Sequence, residues 1–129
     1  KYRGTTIKRE GVMLVLPGGL PGATNLAAHE GLRKVILDFN TEGRLLSAIC
    51  AAPLVYGQLG ILKDKKATCY PGFEKYLEGA RTTGAMVEQD DNIITGKGPG
   101  AAFDFGFAIV TKLAGKEKAD EVKAGMLLA

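Results

Sequence analysis

Two short apolar segments of the chain predict buried β-strands. Residues 11–16 are continuously apolar and partly β-branched, which is typical of a strand buried on both faces of a parallel sheet. Residues 45–49 have the same character and predict a second buried strand. Further strands are predicted at 67–70 and, from weaker patterns, at 85–88 and 92–95.

Between these segments the apolar residues recur at helical spacing. From Asn25 onward the pattern predicts a helix whose buried face carries Leu32, Val35, Ile36 and Phe39, and Gly43 ends it. Residues 50–59 predict a helix with Pro53 in its first turn. A short helix or turn is expected around 73–77, a long helix between 98–100 and Gly115, and a terminal helix over 116–128.

The alternation of buried strands and helices predicts the fold class. It indicates an open, mostly parallel α/β sheet with helices on both faces, as in flavodoxin-like folds. Ligands of such sheets lie at the carboxyl ends of the strands. A length of 129 residues with 46% apolar and 24% charged residues fits one domain, 1–129.

The first ten residues differ from the usual start of a doubly wound domain. They are polar, whereas such domains usually open on a buried strand. We therefore expect the domain to be N-terminally incomplete, lacking a βαβ portion of ~30 residues or more. Either those residues are absent from the sequence given, or a partner covers the apolar edge that the sheet would otherwise expose.

Charge and hydropathy argue against nucleic-acid and membrane partners. The 17 basic and 14 acidic residues leave a formal charge of +3, and the basic residues are scattered rather than clustered into a stripe. The apolar runs are too short to cross a bilayer, and no signal-peptide core follows the first residues. A cytoplasmic location is the resulting expectation.

The two cysteines are the main candidates for chemistry. Cys50 and Cys69 are too few for a disulfide framework and lack zinc-ligand spacing with the only histidine, His29, so free thiols and no metal site are expected. Cys50 falls where a predicted strand becomes a helix, a position that lowers a thiol pKa. The alternative is that Cys50 merely packs in the core, as cysteines often do.

Three motifs resemble those of the ThiJ/PfpI superfamily, which is class I glutamine amidotransferase-like. AICAAP at 48–53 resembles its nucleophile elbow, and LPGGLPGATNL at 16–26 resembles its diglycine loop. GPGAAFDFGFAIV at 98–110 resembles its late loop and helix, and the likeness continues through GKE at 115–117. Their order and spacing make the resemblance specific, and it points to the deglycase branch of the superfamily.

The resemblance implies a site built on Cys50 as the catalytic nucleophile. The amides of Gly19 and Ala51 would form the oxyanion hole, while Gly18, Tyr70 and Pro99 would line the substrate pocket. No metal or organic cofactor is implied. For Gly18 and Gly19 a second reading stays open, because a tight turn after a strand requires positive φ by itself.

Tyr70 departs from the family, whose members commonly carry a histidine there. A phenol with an ordinary pKa near ~10 is a poor base at neutral pH, so a Cys-His dyad is not available and protease activity is not expected. Tyr70 is expected either to hydrogen-bond a substrate oxygen or to pack. Cys69 should point the opposite way by strand alternation, so a Cys50–Cys69 disulfide is not expected.

Neither the histidine nor the glutamates Glu10, Glu30 and Glu42 are candidates for a catalytic role. His29 aligns with a surface stretch of the family and is expected to be solvated and not catalytic. The family's catalytic glutamate lies after the first strand of the family fold, and Glu10, Glu30 and Glu42 do not match its motif.

The resemblance implies two alternative functions that use the same thiol. The first is a deglycase or glutathione-independent glyoxalase acting on small α-oxoaldehydes such as methylglyoxal through a Cys50 hemithioacetal. The second is a non-enzymatic oxidative-stress sensor or chaperone that uses Cys50 oxidation. A third label, thiazole monophosphate (thiamine) biosynthesis, has no support from any residue. A small-molecule carbonyl substrate and a homodimer are the implied partners.

Overall fold

A four-stranded sheet lies at the centre of the structure, a computed structural model that describes residues 13–125. The described residues form six strands in all, four of them in this central sheet. In chain order they are β1 (Met13–Leu16), β2 (Leu45–Ile49), β3 (Lys66–Ala67), β4 (Arg81–Thr82), β5 (Val87–Asp90) and β6 (Ile93–Gly96). The central sheet has the order β1-β2-β6-β5, with β1, β2 and β6 parallel and β5 antiparallel to β6. The predicted open, mostly parallel α/β sheet is confirmed.

Five helices flank or follow the strands within the described residues. They are α1 (Gly22–Ala27), α2 (Glu30–Thr41), α3 (Pro53–Gln58), α4 (Ala102–Ala114) and α5 (Lys116–Gly125). Single 3-10 turns occupy Glu74–Tyr76 and Pro99–Ala101. None of the helices between residues 13 and 125 is long and apolar enough to cross a membrane.

Helix α2 shows how the apolar spacing is used. Its four predicted core residues, Leu32, Val35, Ile36 and Phe39, are all buried. The helix predicted from Asn25 is in fact two helices, because α1 ends at Ala27 and α2 begins at Glu30, directly after His29. The Nδ1 atom of His29 accepts a hydrogen bond of 2.9 Å from the Leu32 amide and so caps α2. His29 is half-buried, and its capping of α2 is a structural role that the sequence did not predict.

Strand β1 differs from its prediction in burial. Leu16 is buried, but 45% of Val15 is exposed and Met13 and Leu14 are half-buried. Within residues 13–125, β1 pairs only with β2 and forms an edge of the sheet. Because Val15 is largely exposed, the prediction of burial on both faces is wrong for the described residues of this strand. Residues 11 and 12, at the start of the predicted strand, lie outside the described residues.

The third predicted strand is mostly not a strand. Only Lys66–Ala67 is extended and paired, and its partner is β4 rather than the central sheet. The next residue is held by side chains, because the Thr68 amide donates to Thr95 Oγ1 at 3.0 Å and Thr68 Oγ1 donates to the Ala85 carbonyl at 2.6 Å. These bonds bring the chain that follows Thr68 to the carboxyl end of β6.

The last helices agree with the sequence pattern. Helix α4 follows the turn that begins at Pro99, and Gly115 ends it with a φ of 94°. Helix α5 follows at once. Residues 126–128, the end of the predicted terminal helix, lie outside the described residues.

Candidate active site

Cys50 lies directly after β2 in an unusual backbone conformation. Its φ of 66° falls in the left-handed region, which costs a residue other than glycine about 1–2 kcal/mol. Two backbone hydrogen bonds hold it: its amide donates to the Gly96 carbonyl at 2.9 Å, and its carbonyl accepts from the Tyr70 amide at 2.7 Å. Strain of this kind persists where the surrounding structure enforces it, often at functional sites.

Helix α3 begins later than predicted. Residues 50–52 form a turn, and Pro53 occupies the first helical position. A proline suits that position because its missing N–H would have no partner there. The helix predicted over 50–59 therefore starts three residues later than predicted, and Cys50 stands one turn ahead of it.

Gly18 packs directly against the cysteine. A Cβ atom at position 18 would lie 2.5 Å from Cys50 Cβ and 2.9 Å from the Ile49 carbonyl oxygen. Any side chain would force these groups apart. Gly18 is thus required by close approach, whereas Gly19 has a φ of 95° and is required by its conformation. The positive φ expected of a tight turn is found at Gly19 and not at Gly18, and the functional roles of both residues stay predictions.

The backbone amides of Gly19 and Ala51 are the two donors assigned to the oxyanion hole. Neither the Gly19 nor the Ala51 amide donates a backbone hydrogen bond among residues 13–125. The Gly19 carbonyl accepts from the Ala23 amide at 2.8 Å, which ties the loop to α1. The role of these two amides as an oxyanion hole for a ligand bound to Cys50 stays a prediction.

Tyr70 lies beside Cys50 and presents its ring to solvent. About half of its surface, 46%, is exposed. A Cβ atom on Gly98 would lie 3.3 Å from Tyr70 Cδ1, and the Phe73 ring meets the Tyr70 ring edge-on at a centroid distance of 6.4 Å. Pro99, also exposed, follows Gly98. The structure therefore brings Tyr70 and Gly98 together, joins the Tyr70 backbone to that of Cys50, and places Pro99 directly after Gly98 in the chain.

Three contributors to this site were not singled out from the sequence. Gly96 accepts the Cys50 amide hydrogen bond, Gly98 leaves room for the Tyr70 ring, and Phe73 contacts its edge. Gly98 stands inside a motif already recognised, so its position was an available signal. Phe73 lies three residues after Tyr70 on a turn that the sequence predicted only loosely, and no pattern marks it.

Cys69 is a buried thiol of different character. Only 3% of it is exposed, and it is free, as is Cys50. Burial, the nearby Glu74 carboxylate and the Cys50 thiol together raise the pKa of Cys69 to about 11. The burial of Cys69 and the exposure of Tyr70 agree with the predicted opposite directions of the two side chains.

We expect iodoacetamide at neutral pH to label Cys50 well ahead of Cys69. A thiol with a pKa near 11 carries very little reactive thiolate at pH 7, and burial adds a barrier to access. Peptide mass spectrometry of briefly treated native protein measures the ratio. Cys69 should react once the protein is denatured, which controls for peptide detection. Equal labelling in the native state would contradict the assignment of Cys50 as the accessible thiol.

A proton-transfer carboxylate for Cys50 is not found among residues 13–125. No carboxylate in that range hydrogen-bonds the Cys50 thiol. Glu30 lies exposed in the first turn of α2, and Glu42 forms an ion pair with Arg44 at 2.8 Å. Glu10 lies outside the described residues. Within residues 13–125, no group of three or more metal-ligating side chains is present either.

A cysteine held in a strained turn at the carboxyl end of a parallel strand, with a diglycine loop against it, defines the class of α/β proteins with a nucleophile elbow. Within that class the chain belongs to the DJ-1/PfpI family, which it matches over residues 6–112. The resemblance drawn from the three sequence motifs is confirmed.

Relatives and solved structures agree with this assignment. The chain is 44% identical to protein DJ-1 homolog B of Arabidopsis thaliana over 118 residues, which are 90% of this chain and 27% of that protein. It is 38% identical to the Parkinson disease protein 7 homolog of Danio rerio over 119 residues, which are 90% of this chain and 63% of that protein.

Two solved structures share the fold. Drosophila melanogaster DJ-1beta has a TM-score of 0.86 and 37% identity, with 91% of this chain and 64% of that chain covered. Oxidized Toxoplasma gondii DJ-1 has a TM-score of 0.85 and 30% identity, with the same coverage of 91% and 64%. The chain thus spans less than two thirds of the length of each of these relatives.

Proposed function

We propose that the full-length protein is a cysteine-dependent deglycase or glutathione-independent glyoxalase that acts on small α-oxoaldehydes such as methylglyoxal. The observation that carries the proposal is the position of Cys50, a free and partly exposed thiol in a strained turn that two hydrogen bonds fix. A preorganised nucleophile suits attack on a carbonyl group, and we assign the oxyanion to the amides of Gly19 and Ala51, which donate no backbone hydrogen bond among residues 13–125.

The proposed reaction begins when the Cys50 thiolate attacks the aldehyde carbon. A carbon–sulfur bond forms, and the carbonyl electron pair moves to oxygen, where the amides of Gly19 and Ala51 would stabilise the negative charge. Protonation gives the hemithioacetal. Transfer of the proton from the former aldehyde carbon to the neighbouring carbonyl carbon gives a thioester, and water releases lactate and the free thiol.

The sum of these steps is methylglyoxal plus water giving lactate. The aldehyde carbon is oxidised and the ketone carbon is reduced within one molecule, so no external oxidant or cofactor is needed. Family resemblance assigns the proton transfer to a glutamate, and none of Glu10, Glu30 or Glu42 matches its motif. In the deglycase variant, the thiolate attacks the carbon that joins the amine to the α-oxoaldehyde. The carbon–nitrogen bond breaks as the carbon–sulfur bond forms, the amine leaves with a proton, and the same hemithioacetal goes on to lactate.

Lactate formation from methylglyoxal by the full-length protein tests the proposal, with Cys50→Ala and Cys69→Ala as a matched pair. The Cys69 variant should retain activity, because that thiol is buried and protonated at neutral pH. The Cys50 variant should be inactive. Lactate formed at equal rates by wild type and Cys50→Ala would refute the nucleophile assignment, and no lactate from wild type would refute the glyoxalase function.

A redox-sensing or chaperone function is the second candidate, and the partly exposed Cys50 thiol favours it. One structural relative, Toxoplasma gondii DJ-1, is described in its oxidized form. If sensing is the main function, a low excess of hydrogen peroxide should add oxygen to the peptide containing Cys50 before any methionine is oxidised, and methylglyoxal turnover should be absent. A homodimer and a cytoplasmic location also stay predictions.

A further inference from the structure

We propose that Tyr70 forms an aryl subsite next to Cys50, so that the protein prefers α-oxoaldehydes carrying an aromatic ring over methylglyoxal. This inference deepens the proposed function and rests on it, because it names the class of substrate that the thiol would attack. It concerns a position at which this chain departs from the histidine that is common in the family.

Three contacts hold Tyr70 in place relative to the backbone of Cys50. Its amide donates to the Cys50 carbonyl at 2.7 Å, so the two residues are joined backbone to backbone. Its ring rests on the backbone of Gly98, where a Cβ atom would be only 3.3 Å from Cδ1. The edge contact with Phe73 restrains the ring from another direction. A ring held in this way loses little further freedom when a ligand stacks on it.

The side chain of Tyr70 is also exposed, so its ring is accessible to a ligand. Tyr70 is 46% exposed, whereas Tyr56, a tyrosine with a structural role, is fully buried and its hydroxyl donates to the Ser47 carbonyl at 2.8 Å. Among residues 13–125, no hydrogen bond occupies the Tyr70 hydroxyl. An aromatic surface that the fold positions but does not cover fits a flat apolar group, and aromatic pairs add about 0.5–1.5 kcal/mol beyond area burial.

The aryl ring of such a substrate lies close to the carbon that the Cys50 sulfur attacks. In an aryl glyoxal the ring is attached to the ketone carbon, one bond from the aldehyde carbon that sulfur attacks. The ring must therefore lie close to Cys50, and Tyr70 is an aromatic residue whose backbone is hydrogen-bonded to that of Cys50. Tyr76 is also exposed, but it stands beyond Phe73, with a centroid distance of 5.9 Å between those two rings. Tyr76 is therefore a matched control on the same surface.

Phenylglyoxal would react through the same sequence of bond changes as methylglyoxal. Sulfur adds to the aldehyde carbon of phenylglyoxal, the proton on that carbon moves to the ketone carbon, and water cleaves the thioester to give mandelate. Phenylglyoxal plus water gives mandelate without an external oxidant or reductant. The methyl group of methylglyoxal would gain much less from the Tyr70 ring.

The test compares kcat/KM for phenylglyoxal and methylglyoxal in full-length wild type, Tyr70→Leu, Tyr70→Phe and Tyr76→Leu. The preference for phenylglyoxal should fall about two- to tenfold in Tyr70→Leu, the size expected of one aromatic contact. It should persist in Tyr70→Phe, which keeps the ring, and in Tyr76→Leu. An unchanged preference in Tyr70→Leu, with methylglyoxal turnover intact, would overturn the aryl subsite and leave the proposed function standing.

A second measurement keeps the inference testable if turnover is absent. Alkylation of Cys50 by 2-bromoacetophenone and by bromoacetone probes the same subsite without a catalytic cycle, and the intrinsic reactivities cancel when the rate ratio is compared between variants. A lower ratio in Tyr70→Leu supports the subsite even where the glyoxalase proposal has failed. The same ratio in wild type and Tyr70→Leu rejects it.

Discussion

Replacement of Cys50 by alanine or by glycine is expected to abolish lactate formation, with a loss of kcat on the order of 10³-fold or more, while the two variants differ in stability. Loss of turnover follows because no other thiol can act as the nucleophile: Cys69 is buried and its pKa is about 11. Stability differs because position 50 has a φ of 66°. Alanine keeps the strain of that conformation, and glycine relieves it.

The relief should exceed the entropy that glycine costs. About 1–2 kcal/mol of left-handed strain is removed, against roughly 0.5–1 kcal/mol for the greater freedom of glycine in the unfolded chain. Cys50→Gly should therefore be more stable than Cys50→Ala by about 0.5–1 kcal/mol. Denaturant unfolding of both variants measures the difference. Equal stability, or a more stable alanine variant, would show that the turn at position 50 is not strained.

The second strand shows what the sequence could predict well. Residues Leu45–Ile49 form β2 with the predicted bounds, because a short run of apolar residues ends at a turn and pairs on both sides with β1 and β6. The same pattern misled for β1, where 45% of Val15 is exposed. Apolar character predicts that a segment is a strand, but the neighbours that cover its faces lie elsewhere in the chain.

The segment at 67–70 shows why the third strand could not be placed. Its alternation resembles a strand, yet two threonine side chains, Thr68 and Thr95, replace the ladder after Ala67. Side-chain hydrogen bonds between distant residues leave no periodic signal. The expectation that Tyr70 lies near the cysteine came instead from the family resemblance, which places a histidine at this position after the next strand.

The candidate site was predictable in its residues and not in its geometry. The three motifs identified Cys50, Gly18 and Gly19, but not the left-handed backbone of Cys50 or its contact with Gly18. Both depend on where the loop after β1 meets the turn after β2. The place where the loop and the turn meet is set by the parallel register of β1 and β2, in which Leu16 pairs with Ala48.

Gly18→Ala is therefore expected to damage both the stability and the reactivity of the site. The added methyl group would lie 2.5 Å from Cys50 Cβ and 2.9 Å from a backbone oxygen, so the loop or the cysteine must move. Overpacking of this kind costs about 1–3 kcal/mol of unfolding free energy. A displacement near 1 Å at a nucleophile also lowers turnover by about 10²-fold, because the attack geometry is lost.

Gly22→Ala provides the matched control for this effect. Gly22 lies in the same loop region at the start of α1, its φ is not positive, and a Cβ atom there meets nothing within 4 Å. Alanine at position 22 should leave stability unchanged or slightly raised, since alanine favours the helix. Thermal unfolding and the alkylation rate of Cys50 in both variants give the comparison. If Gly18→Ala unfolds and reacts like Gly22→Ala, the loop does not press on the cysteine, and Gly18 has no role in holding the nucleophile in place.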